Sequence, residues 1–166
     1  MMKRFGIAVT VLALGLAAGC GDDDNGNPGG PSTTTVFTVQ LLPSLENPPI
    51  TNAEQSARGT AVITVHSDTN TIDFSVSLNS FPTSSALTAA HIHPGATGVN
   101  GGVLIGTGLT AGNAPSLSTG SATFTFTGVP ETQGGQVAQI LANPQNFYFN
   151  VHSSANPSGV MRGQLR

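Results

Sequence analysis

Between residues 36 and 41 the side chains alternate, with Phe37, Val39 and Leu41 on one side and Val36, Thr38 and Gln40 on the other. This is the period of a strand with one buried face. The same period returns where Ala61, Ile63 and Val65 alternate with Thr60, Val62 and Thr64, and where Ile72, Phe74, Val76 and Leu78 alternate with Asp73, Ser75 and Ser77. The intervening HSDTNT, residues 66–71, is turn chemistry, because Asp and Asn side chains satisfy nearby backbone and tolerate unusual dihedrals, so the two runs predict a hairpin. Further runs at 87–93, 103–105, 122–126, 147–152 and 160–165 bring the total to eight short strands. Their spacing predicts an all-β domain, an antiparallel β-sandwich or a Greek-key barrel.

One segment breaks the strand period. In PETQGGQVAQILANP, residues 130–144, Val137, Ile140 and Leu141 stand at helical spacing between two prolines. A helix of about two to three turns is expected there, packed across one end of the sheets. There is no internal repeat.

The first residues follow other rules. MMKRFGIAVTVLALGLAAGC has a basic start at Lys3 and Arg4, an apolar run over residues 5–18 and small residues up to Cys20. The run is shorter than the roughly twenty residues needed to span a bilayer and has the proportions of an export signal. Its ending, LAAGC, resembles the bacterial lipobox, in which the cysteine is lipidated and becomes the new N-terminus, although Ala17 stands where Leu is more usual. Cys20 is the sole cysteine, and lipidation would put to use a thiol that is otherwise an oxidation liability in an exported chain. GDDDNGNPGGPSTTT, residues 21–35, offers nothing to a hydrophobic core and reads as a flexible tether. The expected organisation is a signal peptide over 1–19, a tether over 20–35 and one folded domain over 36–166, on the periplasmic or outer surface and anchored in a membrane by lipid.

Charge narrows the partners. Only 8 % of the 166 residues are charged. Beyond the expected signal, Arg58, Arg162 and Arg166 face eight acidic residues, a net charge of about −5. So few cations cannot neutralise a run of phosphates, and nucleic acid is excluded as an expected partner.

Three segments resemble, in order, the characteristic segments of the CHRD domain, a family named from chordin and common in bacterial exported proteins. They are LLPSLENPPI at 41–50, AHIHPGATGVNGGVLIGTG at 90–108 and NFYFNVHSSANPSGVMRGQLR at 146–166. The resemblance spans about residues 36–166 and implies a β-sandwich; it implies no particular reaction. Where the family usually has Glu-Val-Pro-Pro, Glu46 is kept but Asn47 follows it. Val160 stands where the family often has Glu, while Arg162, Gly163 and Gln164 are retained. A role resting on that missing carboxylate does not carry over to this chain.

Candidate chemistry lies with the histidines. On a strand, His91 and His93 share one face, about 7 Å apart at their Cα atoms, and Ile92 turns to the other. By the same rule His152 shares a face with Tyr148 and Asn150. Neighbouring strands would bring three imidazoles onto one ion, a donor set suited to copper or zinc. The glycines that follow, Gly95, Gly98, Gly101 and Gly102, would let backbone pass close to the site. The His-x-His pair is similar to that of copper- and zinc-containing superoxide dismutases. A fourth copper histidine, a zinc loop and a disulfide pair are missing here, and dismutase activity is not expected. The same pair also suits plain hydrogen bonding of the glycine loop to the sheet.

Other ionisable groups read as structural. His66 stands beside a turn as a solvated side chain. Arg162 is expected to form a bidentate ion pair with Glu46 or Asp73. No serine lies in a nucleophile elbow, and GVNGGVLIGTG leads into a strand rather than a helix, so no phosphate loop is present. Two readings stay open. One is a non-enzymatic envelope module that binds a protein or polysaccharide partner; the other is a copper- or zinc-binding protein, with a redox role as one option, built on His91, His93 and His152.

Overall fold

The computed structural model describes residues 33–166. The expected signal peptide, Cys20 and nearly all of the expected tether lie outside the described residues.

Eight strands form: β1 (Thr34–Leu41), β2 (Arg58–His66), β3 (Thr71–Asn79), β4 (Leu87–Pro94), β5 (Ile105–Gly106), β6 (Ala122–Pro130), β7 (Phe147–Ser153) and β8 (Met161–Gln164). They make two antiparallel four-stranded sheets, ordered β1-β2-β3-β6 and β5-β4-β7-β8. The arrangement is a β-sandwich, not a closed barrel. At one corner the sheets approach through a bridge, where Leu42 N–H donates to Arg162 O at 3.1 Å.

The core is the space between the sheets, filled by the inward half of each alternating strand. Phe37, Val39, Ile63, Phe74 and Val76 come from one sheet, and Ala90, Ile92, Phe149, Val151 and Met161 from the other. Phe74 stacks on Phe149 with ring centroids 5.7 Å apart, which locks the two sheets at their middle.

Several boundaries differ from the sequence reading, each for a local reason. β1 begins at Thr34 because Thr34 pairs with His66, so Thr34 and Thr35 belong to the sheet rather than the tether. β6 runs on to Pro130, past a register shift opposite Ile72 and Phe74, and Asp73 Oδ1 accepts from Gly128 N–H at 2.7 Å beside that shift. Pro130 therefore ends a strand rather than starting a helix. The helix, α1, is Gln136–Ala142. It cannot begin sooner because Gly135 before it is left-handed, at φ 89°, and Glu131 caps the start from upstream, accepting from Gly135 N–H at 3.0 Å and Val137 N–H at 2.9 Å. Val137 and Ile140 are buried in the core, as their spacing predicts. Val103 is exposed, and the expected strand over 103–105 shrinks to Ile105–Gly106.

The second sheet departs from the usual one-face burial. Every residue of β7 is buried, including the polar positions Tyr148, Asn150 and His152 on its outer face. Loops cover that face. Leu45 O accepts from Arg162 Nε at 2.6 Å, Gly95 O accepts from Gln164 Nε2 at 2.7 Å, and Asn47 Nδ2 donates to Gly98 O at 2.7 Å to join two of the covering loops.

Candidate metal centre

β4 alternates, and because Ala90 and Ile92 fill the core, His91 and His93 must point outward, beneath the loops. β7 lies next to β4 with His91 opposite Asn150 and Ala89 opposite His152, which places His152 diagonally beside His91. Ring centroids are 4.9 Å apart for His91 and His152, 5.5 Å for His91 and His93, and 5.9 Å for His93 and His152. One nitrogen from each ring lies within 4.8 Å of the other two.

Two of the rings have their outer nitrogen tied to a backbone carbonyl. His93 Nδ1 donates to Gly101 O at 3.1 Å, and His152 Nδ1 donates to Pro157 O at 3.0 Å. A carbonyl can only accept, so in each neutral ring the proton sits on Nδ1 and the Nε2 lone pair is free to bind. Carbonyl partners of this kind orient ligating imidazoles and fix their tautomer. His152 Nε2 then accepts from His91 Nδ1 at 3.1 Å. His93 Nε2 is buried with no hydrogen-bond partner among the described residues. An unpaired buried acceptor of this kind costs about 1–3 kcal/mol, which a bound cation would recover.

The carbonyls are themselves positioned by sequence. Gly101 folds back so closely on the end of β4 that a Cβ there would stand 1.8 Å from Pro94 O, so no other residue brings that carbonyl to His93. Tyr148 OH accepts from Gly101 N–H at 3.2 Å, and its ring stacks on His93 with 7° between the planes. On the other side, Glu54 accepts from Ser153 Oγ at 2.6 Å and also from Asn156 Nδ2. This latch holds the turn that carries Pro157.

Electrostatics favours neutral rings. Burial, then the neighbouring His152 and His93, pushes His91 down to about 4. Burial also holds His93 and His152 below the ordinary histidine value, against the carbonyl hydrogen bonds that pull the other way. Three imidazoles that stay unprotonated at neutral pH need lose no proton before they bind a metal.

The other candidates resolve differently. Arg162 is buried, but it does not make the expected bidentate pair, since its Nε is 3.8 Å from Glu46 Oε2. Its Nε is committed to Leu45 O and its Nη1 to Asn100 Oδ1 at 2.8 Å, and the guanidinium lies 4.7 Å from the centre of the Tyr148 ring. Asp73 is not its partner either, because Asp73 binds His66 Nε2 at 2.9 Å. His66 is thus a half-buried hydrogen-bond partner of Asp73 on the first sheet. The sequence reading had no signal for Glu54, nor for which carbonyls hold the rings, since each contact joins residues far apart in the chain.

Fold and site together define a β-sandwich domain with a cluster of three buried or half-buried imidazoles on the outer face of one sheet. The chain belongs to the CHRD domain family, whose family model matches residues 37–165. No curated protein and no solved structure matches it.

Proposed function

We propose that this CHRD domain binds one divalent transition-metal ion, copper or zinc, through His91, His93 and His152. The observation that carries the reading is the pair of Nδ1 hydrogen bonds to Gly101 O and Pro157 O, which leave the Nε2 lone pairs of His93 and His152 free in a cluster where one nitrogen of each ring lies within 4.8 Å of the other two. Two nitrogens each 2.0–2.1 Å from one tetrahedral ion stand about 3.3–3.4 Å apart. His91 Nδ1 and His152 Nε2, at 3.1 Å, are already near that spacing. The ion would replace the proton between them, His91 moving its own proton to Nε2. An all-imidazole set without thiolate suits copper and zinc, and at equal geometry copper(II) binds the more tightly.

Calorimetric titration of the metal-stripped full chain with each ion tests this. One ion per chain is expected, with the unfolding free energy raised by about 2.7 kcal/mol when free metal is a hundredfold above Kd. Failure of both ions to bind or to raise the melting temperature sinks the reading, and leaves a binding module for a protein or polysaccharide.

The domain is further proposed to work outside the cytoplasm, anchored to a membrane by lipid on Cys20. The support is the basic, apolar and small-residue order of residues 3–20. Cys20→Ser is expected to move the protein from the membrane pellet to the soluble fraction, and unchanged sedimentation would count against the anchor.

A further inference from the structure

The three rings are not held alike. His93, 5 % exposed, is tied to Gly101 O and lies flat against Tyr148, with 5.0 Å between the ring centroids. His152, 8 % exposed, is tied to Pro157 O in the turn that Glu54 latches. His91 has no such tie. The one hydrogen bond of its ring is the bond that Nδ1 donates to His152 Nε2, and its Nε2 has no partner among the described residues. That nitrogen is not enclosed either, for His91 is half-buried, and of the ring nitrogens in the cluster it is His93 Nε2 that is both buried and unpartnered.

A bound ion would remove even that one bond. The ion takes the Nε2 lone pair of His152, which is the lone pair that now accepts from His91. In the loaded site His93 and His152 keep their carbonyls. The ring of His91 then makes no hydrogen bond to the protein, and the ion alone orients it.

Room for a departing ring is also present. β4 is paired on both sides, with β5 and with β7, so its backbone is fixed and the side chain is what can move. On the β7 side stand Asn150 and His152. On the β5 side Gly106 lies directly opposite His91, and a Cβ built there would stand 3.5 Å from His91 Cδ2. β5 therefore puts no side chain against that edge of the ring. Gly106 is not among the glycines in the left-handed region, so its backbone accepts other residues. What the missing side chain supplies is space.

We propose that His91 is the exchangeable ligand of the metal centre, and that the domain passes its ion to a partner offering nitrogen donors by substitution at this ring. The inference rests on the metal reading above. One metal–nitrogen bond breaks at His91 Nδ1 and one forms to the acceptor, so the donor count is kept and no electron moves. The released ring stays neutral, with its proton on the solvent-facing Nε2. A nitrogen donor suits the exchange because it replaces an imidazole by its chemical like, while His93 and His152 keep hold of the ion.

The test loads the full chain with one zinc and follows its transfer to the nitrogen-donor chelator 4-(2-pyridylazo)resorcinol by stopped-flow absorbance. The rate is expected to rise in proportion to chelator concentration, as substitution requires. In Gly106→Val the added side chain makes the swung-out ring rarer without touching the bound one, and valine suits a strand. Transfer and loading should both slow about tenfold, which is about 1.4 kcal/mol of barrier, so that Kd stays within about twofold. A second comparison reads the ligands themselves. His91→Ala is expected to weaken zinc at least about tenfold less than His152→Ala, because two tethered rings remain.

A transfer rate that ignores chelator concentration, or one no slower in Gly106→Val than in the wild type, overturns the exchange proposal and leaves the centre in place. Equal losses of affinity in His91→Ala and His152→Ala do the same. Absence of zinc binding in the wild type overturns the metal reading with it.

Discussion

His152→Ala is expected to lower zinc and copper(II) affinity by at least about a hundredfold, a loss of more than about 2.7 kcal/mol of binding energy. The loss is large because the ring is one of three donors, and because His152 Nε2 is also the acceptor that orients His91. Removing it disorders a second ligand as well as deleting the first. His93→Ala should behave alike, since its Nε2 has no other partner to lose. His66→Ala is the control, for His66 lies on the other sheet and is engaged with Asp73. Titration calorimetry of the three variants makes the comparison, and equal affinity in wild type and His152→Ala would refute the site.

Arg162→Met is expected to destabilise the fold by about 3–5 kcal/mol, read from urea unfolding at fixed pH. Met fills much of the same volume but donates nothing. Leu45 O and Asn100 Oδ1, which now accept at 2.6 and 2.8 Å, are left without that donor. Both belong to loops that cover the polar face of the second sheet, so their release also lets water reach the histidine cluster. Arg162→Lys should restore little, because one ammonium cannot send separate donors along the directions a planar guanidinium spans. A loss below about 1 kcal/mol would mean that the loops are held elsewhere.

These two variants act on features that differ in how much of them the sequence displays. The outward direction of His91 and His93 is visible in the chain itself, since a strand alternates and Ile92 between them is apolar. The register that sets Ala89 against His152 is not visible there, because any of several strands could have paired with β4. The helix shows the same division. Val137 and Ile140 announce it, but its start at Gln136 follows from a left-handed Gly135 and from Glu131 reaching forward to two backbone N–H groups.

The expected ion pair of Arg162 shows the limit most clearly. Scarcity of charge suggested that Arg162 and Glu46 would find each other, and they are neighbours. Yet the guanidinium serves carbonyl and amide oxygens of the loops instead. Sequence scarcity says nothing about a backbone carbonyl, which every residue possesses and which only the fold can place.

The amino-acid sequence by itself determined the alternating strands, the two-faced character of each and the outward set of His91, His93 and His152, because a strand's period is a local property of consecutive residues. Tertiary structure alone decided that the three rings share one place, that Gly101 and Pro157 hold two of them by their carbonyls, and that Arg162 serves loop oxygens beside a buried Glu46. Those outcomes depend on strand neighbours and loop cover, which are chosen by burial of the common core across long separations in the chain.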